Sequence, residues 1–196
     1  MSHLMYTTST DQLIARPELK LIPTPPAMGA RHNPYPFGAY VEDIHEALDI
    51  NGLEATNEEY AVGHEGQRLF GMMQIGPKAL EGELIKADDW NLTLGLRGSH
   101  DQSIARGITL GSQVIVCSNL MFDGDLGKFT TMQTTHVGSR LPGLIRGAIA
   151  QVPEVAGAME ARYDAYKNFE MKPRWGDAAL VEIHRRGGLE IGRAHV

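Results

Sequence analysis

Apolar residues recur at three- and four-residue spacing from Phe37 to Ile50. Phe37, Tyr40, Val41, Ile44, Ala47 and Leu48 share one side, while Glu42, Asp43 and Glu46 face away. That period predicts an amphipathic helix, and Asn51-Gly52 supplies its stop. His45 falls on the polar side and reads as a solvated residue rather than a ligand.

The period then drops to two. Leu53 to Val62 and Arg68 to Ile75 flank the turn-forming Gly63-His64-Glu65-Gly66, which predicts a hairpin closed off by Gly76-Pro77. A tip made of turn formers needs no ligand at His64 or Glu65. Trp90, Leu92, Leu94 and Leu96 alternate with Asn91, Thr93, Gly95 and Arg97, the pattern of a half-buried strand. Its partner runs from Ile104 to Leu110. One register would oppose Arg97 to Arg106; a shift by one pairs Leu96 with Ile108 and Leu94 with Leu110. The second is favoured, because like charges opposite each other destabilise and a one-residue slip reverses every side chain. It leaves Asp101-Gln102-Ser103 as the loop. Val114 to Cys117 is a continuous apolar run, as for a strand covered on both faces. Phe122-Asp123-Gly124-Asp125 reads as a turn, and the Thr-rich 129–137 stretch as a possible outer strand.

Ile145, Ile149, Val152, Ala156, Met159, Tyr163 and Tyr166 form an a/d-like stripe, so the C-terminal third is helical. Pro153 interrupts it and predicts a kink or two abutting helices. The stripe reads first as a docking face for the chain's own core, and second as a seam between copies. A last helix spans Trp175 to Arg186 and ends at Gly187-Gly188. At the other end, six prolines between Pro17 and Pro36 predict an irregular, extended arm over residues 1–35, or a disordered lead-in.

With 196 residues, 42% of them hydrophobic and 21% charged, the chain suits one domain with a real core. The fold class that follows is α+β: an antiparallel β-sheet built from hairpins, packed by an N-terminal helix and long C-terminal helices. No apolar run reaches membrane-spanning length, no secretory signal is visible, and a single cysteine excludes an internal disulfide. The location expected is the cytoplasm of a prokaryotic or phage-infected cell. A net charge of −6 argues against whole-molecule attraction to nucleic acid but leaves a local basic groove open.

Candidate chemistry gathers in the polar turn. Arg97 offers a charged fork, His100 a proton carrier near neutrality, and Asp101 an orienting partner. With Ser99 they form the candidate catalytic set. Three consecutive residues are not a triad, however, because neighbouring side chains on a strand point to opposite faces. Alternatively Asp101 and Ser103 hydrogen-bond turn amides while His100 pads the end of the sheet. Candidate ligand-binding residues are Arg106, Cys117 and Asn119. Cys117 follows a Val-Ile-Val run, so it reads as buried and inert rather than nucleophilic. A phosphate site would require Arg97 and Arg106 to converge. No metal-ligand spacing, Walker loop or dinucleotide fingerprint is present, so neither a metal nor a cofactor is expected.

The segment LGLRGSHDQSIARGITLGSQVIVCSNLMFDGD resembles the core motif of the phage/plasmid-like proteins of domain-of-unknown-function family 932. The positions that match are Arg97, Ser99, His100, Asp101, Ser103, Gly111, Val116, Cys117, Asn119 and Leu120. Gly98 stands where asparagine is usual and Ser118 where aspartate is usual. EEYAVGHEGQRLFGMMQI is similar to the family's upstream hairpin and VPEVAGAMEARYDAYKN to its downstream helix, so the likeness covers about residues 36–189. It implies a gene of phages, plasmids and integrated elements, and no reaction. Three functions follow as expectations. The first is a non-enzymatic accessory protein acting in DNA metabolism or against host defence. The second is an enzyme, a hydrolase or nucleic-acid-processing activity, using Arg97, His100 and Asp101. The third is a self-associating or partner-binding protein using the 145–166 stripe. Partners expected are nucleic acid, a protein of the element or host, or a second copy, and no membrane.

Residues 190–196, EIGRAHV, resemble nothing in that family. They match a translated sequencing-library adapter: ATC GGA AGA GCA CAC GTC encodes Ile-Gly-Arg-Ala-His-Val, a TGA stop follows, and the preceding AG completes a Glu190 codon. The expected domain is therefore 36–189, incomplete at its C-terminus, with a non-native tail and exposed apolar surface on the last helices.

Overall fold

The computed structural model describes residues 12–29, 32–78, 90–114, 122–123 and 140–185. Six strands form one antiparallel sheet in chain order: β1 (Gln12–Ile14), β2 (Leu53–Gly63), β3 (Arg68–Pro77), β4 (Trp90–Ser99), β5 (Gly107–Val114) and β6 (Phe122–Asp123). The helices are α1 (Phe37–Ile50), α2 (Leu141–Ile149), α3 (Val152–Lys167) and α4 (Pro173–Arg185). This is the α+β arrangement that the hydrophobic periodicity predicts. The chain divides into two compact units, residues 1–160 and 161–196.

The first unit has its core between the sheet and the helices. Tyr60 opposes Gly71, Gly71 opposes Leu96 and Leu96 opposes Ile108. The neighbouring row joins Met73, Leu94 and Leu110. All of these side chains are buried, as are Phe37, Tyr40, Val41, Ile44, Ala47 and Leu48 of α1. Gly71 is required where it stands: a Cβ there would lie 2.7 Å from Tyr60 Cδ1 and 3.0 Å from Leu96. The tyrosine ring occupies the room the glycine leaves. Helix α1 packs against β2 and α2, and Arg146 ties α2 to Glu46 of α1 at 3.0 Å.

The β4–β5 register is Leu94 with Leu110 and Leu96 with Ile108, the one that keeps the two arginines apart. Regular pairing stops at Arg97 with Gly107, so the strand begins at Gly107 rather than Ile104 and the connection is longer than three residues. Strand β4 is not half-buried along its length. Thr93 and Gly95, on the face opposite the leucines, are also buried between β3 and β5 at the middle of the sheet. Phe122–Asp123 pairs with Ser112 and Gln113 as a short strand rather than turning.

The proline-rich lead-in is partly regular. Gln12–Ile14 pairs with β2 as the edge strand, and Arg16–Leu21 forms a 3-10 helix that buries Leu19. Pro17 suits its first turn, where no backbone donor is needed. His45 is not a solvated residue. Its Nε2 lies 2.7 Å from Glu58 and its ring 2.9–3.0 Å from Arg16 Nη1, because β2 and the 3-10 helix bring those groups against the polar edge of α1. Burial opposes ionisation of Glu58, but hydrogen bonds from His45 and Tyr60 and the nearby Arg16 charge hold its pKa below the usual range.

Helices α2 and α3 abut with a break at 150–151, and Pro153 sits in the first turn of α3. The stripe residues Ile145, Ile149, Val152, Ala156 and Met159 are buried. In the second unit, Tyr166, Phe169, Met171, Trp175 and Val181 are exposed. The rings of Phe169 and Trp175 stack at 6.1 Å, and Lys172 and Arg174 lie over the Trp175 ring. Among the described residues no helix is long and apolar enough to cross a membrane. The 115–121 stretch with Cys117 and Asn119, the 129–137 stretch and the 190–196 tail lie outside the described residues.

Candidate functional site

Ser99, His100, Asp101 and Arg106 lie along the connection between β4 and β5, at the end of the sheet where the β2–β3 hairpin also turns. The two turns are joined directly. The His100 amide donates to Gln67 O at 2.8 Å, and Arg68 Nε donates to Ser103 Oγ at 2.8 Å. His64, Glu65 and Gln102 are the non-glycine residues with left-handed backbone among those described, with φ of 51°, 55° and 63°. All three belong to these two turns. Gly66 follows at φ 88° and completes the tight reversal.

Each candidate residue meets a different environment. Arg97 is exposed on β4, opposite Phe70 and Gly107. Ser99 is buried; its Oγ donates to Ile104 O at 3.0 Å and accepts from Ile104 N at 3.1 Å, closing the connection from within. Asp101 is exposed, and its Oδ1 accepts from the Ser103 amide at 2.9 Å and the Ser103 hydroxyl at 2.5 Å. Slight burial works to raise its pKa, but those bonds, with Ser99 and Arg68, hold it below the ordinary carboxylate range. Its carboxylate is thus committed to the turn.

His100 is fully buried and stacks on Phe37. Burial pushes its pKa down to about 4, and the charge of Arg106, then of His32, adds to the effect against a weaker pull from Asp101. It is neutral near pH 7. Arg106 is 2% exposed. Its Nη2 donates to Tyr35 O at 2.6 Å and lies 3.5 Å from His100 Nδ1. The guanidinium carbon is 5.6–5.9 Å from the ring centres of Tyr35, Phe37 and Tyr40. Burial lowers its pKa to about 10, so it stays charged at pH 7. Loss of solvent and the adjacent Asp43, which accepts from Tyr35 Oη at 2.7 Å, push Tyr35 up to about 12. Tyr40, buried and donating to Gly107 O at 3.0 Å, is also raised by burial.

The structure therefore buries His100 and Arg106 side by side and leaves Arg97 and Asp101 exposed. Arg97 is exposed and Arg106 buried, so the two do not present a common surface of the kind a phosphate site would need, although both charges act on Tyr40. Three contributors to the buried cluster, His32, Tyr35 and Tyr40, have no signal in the turn itself. Tyr40 is visible in the sequence only as a core position, and Tyr35 sits between two prolines. Among the described residues no three His, Cys, Asp or Glu side chains gather as for a metal ion.

No family model, no curated protein and no solved structure matches the chain.

Proposed function

We propose that this chain is a non-enzymatic accessory protein of a phage, plasmid or integrated element. It would work in the cytoplasm of a prokaryotic host by binding nucleic acid or a protein of the element or host. The mobile-element assignment rests on the likeness of residues 94–125 to the family named above. The choice of binding over catalysis rests on one observation: the proton carrier His100 is buried away from any substrate and the Asp101 carboxylate is engaged within its own turn. His100 is sealed under Phe37 and neutral, while Asp101 is tied to Ser103 at the surface. A general acid or base must lie within hydrogen-bond reach of the proton it moves. The enzyme alternative built on Arg97, His100 and Asp101 is correspondingly weaker. The self-association alternative keeps only the Tyr163–Tyr166 end of its stripe, since Ile145, Ile149, Val152, Ala156 and Met159 are buried.

The test is titration of the full chain against single- and double-stranded DNA over a range of salt. Specific electrostatic contact gives a linear fall of log affinity with log salt. Flat, negligible binding of both removes the DNA branch and leaves a protein partner. Turnover of a nucleic-acid or ester substrate that is lost in Asp101→Asn would replace the accessory reading by the enzymatic one.

A further inference from the structure

Four aromatic side chains are exposed among the described residues: Phe70, Tyr166, Phe169 and Trp175. Three of them fall between positions 166 and 175, where α3 gives way to α4. Tyr166, Phe169 and Trp175 leave 59%, 57% and 42% of their surface in water. Backbone bonds set both ends of this connection: the Phe169 amide donates to Tyr166 O at 3.2 Å and the Trp175 amide to Lys172 O at 2.8 Å. The Phe169 and Trp175 rings are inclined by only 21° with centres 6.1 Å apart, and Tyr163 meets Tyr166 edge-on at 6.5 Å.

Cations accompany the rings. The Arg162 guanidinium carbon lies 5.5 Å from the Tyr166 ring centre, and Lys172 and Arg174 lie 5.1 and 5.9 Å from that of Trp175. Charge divides along the chain in the same way. Residues 161–196 carry seven Lys or Arg against five Asp or Glu, whereas residues 1–160 carry eleven against nineteen. The 190–196 tail, with Glu190 and Arg193, does not alter that balance. A positive excess thus coincides with the exposed rings inside a chain that is acidic as a whole. Apolar surface that awaits another protein segment calls for no such cations. A lipid surface takes a continuous apolar face of one helix, and these rings straddle the break between two. Single-stranded nucleic acid matches both features: unpaired bases stack on aromatic rings while lysine and arginine meet the phosphates.

We propose that Tyr166, Phe169 and Trp175, with Lys172 and Arg174, form a binding surface for single-stranded nucleic acid. Bases stack on the rings. The two cations, exposed and on long stems, turn from Trp175 to the phosphates on either side. The proposal rests on the nucleic-acid branch of the reading above, and gives it a place on the chain and a strand state. A duplex keeps its bases stacked on one another, so it offers this surface only its phosphates.

The test titrates the full chain with end-labelled oligothymidylate and oligouridylate of about 15 nucleotides, a length within the range of single-strand sites. Anisotropy of the label gives affinity, and tryptophan fluorescence gives location. Trp90 is buried and Trp175 is not, so quenching by a stacked base reports Trp175. Quenching should saturate with one or both strands, and the tighter of the two identifies the sugar. A duplex of equal length, with no base free to stack, should bind at least about tenfold more weakly. Trp175→Ala should weaken single-strand binding by about tenfold or more, the loss of one base stack, and Trp175→Phe should restore most of it. Lys172→Gln combined with Arg174→Gln should lower the slope of log affinity against log salt by about 1.4, for two phosphate contacts. All three side chains are exposed, so the variants should melt as the parent does. If single strands bind but Trp175→Ala binds them as the parent does, this proposal falls while the nucleic-acid reading stands. If neither single strand nor duplex binds, both fall. A response to phosphatidylglycerol vesicles alone would replace the proposal by a lipid surface. Self-association that is lost in Trp175→Ala, without binding of either strand, would replace it by a second copy.

Discussion

Phe37 and His100 stack face to face, ring centres 3.9 Å apart and planes inclined by 19°. The first residue of α1 thereby closes over the turn that follows β4, joining parts of the chain 63 positions apart. The imidazole is a packing surface here. Phe37 has no exposure, so Phe37→Ala opens a cavity under the start of α1. Truncations of this kind cost about 3–5 kcal/mol. Urea unfolding measures it, and a loss below about 1 kcal/mol would show that the site collapses without penalty.

His100 also sets an acid limit on stability. Its folded pKa of about 4 lies below the ordinary 6.5. Between those values the unfolded state binds the proton and the folded state does not. Stability therefore rises with pH through that window. The contribution is complete above about pH 6.5 and is lost as pH falls toward 4. The shift corresponds to at most about 3 kcal/mol. His100→Gln should fold with a flatter profile from pH 6.5 to 4 than the parent. Parallel profiles for the two would show that other groups carry the acid sensitivity.

Tyr40 joins α1 to the first residue of β5 through its hydroxyl and Gly107 O. Tyr40→Phe keeps the ring that faces Arg106 and removes only this bond. The expected cost is about 1 kcal/mol, with more if the Gly107 carbonyl finds no other donor. Chemical denaturation reads it directly. An unchanged midpoint would mean that the ring alone holds α1 at this end.

The pairing of β4 with β5 was legible because two independent rules agree on it: leucines belong on one face, and Arg97 should not oppose Arg106. Both depend on side chains alternating within a strand. The same rule ends with the strand. Arg106 lies one residue before β5, so alternation does not say whether it is a surface cation or a buried one. That depends on Phe37, Tyr40 and Tyr35, which come from a helix start and an irregular segment some 70 positions earlier. His45 is a parallel case. Helical period places it on the polar side, but only the approach of Glu58 from β2 and Arg16 from the lead-in turns that side into a half-buried ion cluster. The two-helix break was legible from Pro153 alone. The edge strand at Gln12–Ile14 was not, because three residues carry no measurable period.

Gly98 carries the last prediction, and it bears on the resemblance as well as on the site. A Cβ at Gly98 would lie 2.9 Å from Arg106 Cγ, closer than carbons approach. The obstruction is the middle of a side chain whose far end is held by the Tyr35 carbonyl and three aromatic rings, so it has no free direction in which to retreat. Gly98→Ala should therefore cost about 1–3 kcal/mol by overpacking. Gly98→Asn, which installs the residue usual in the family that this segment resembles, should cost more and displace the guanidinium from Tyr35 O. The cause can be isolated by a double-mutant cycle. In an Arg106→Ala background the Cγ is gone, and the penalty of Gly98→Ala should largely vanish. Equal penalties in both backgrounds would show that the glycine is needed for its backbone and not for the arginine that crosses it. A vanishing penalty would tie the departure at Gly98 to the burial of Arg106, so that a chain with asparagine at this position would have to place its arginine differently.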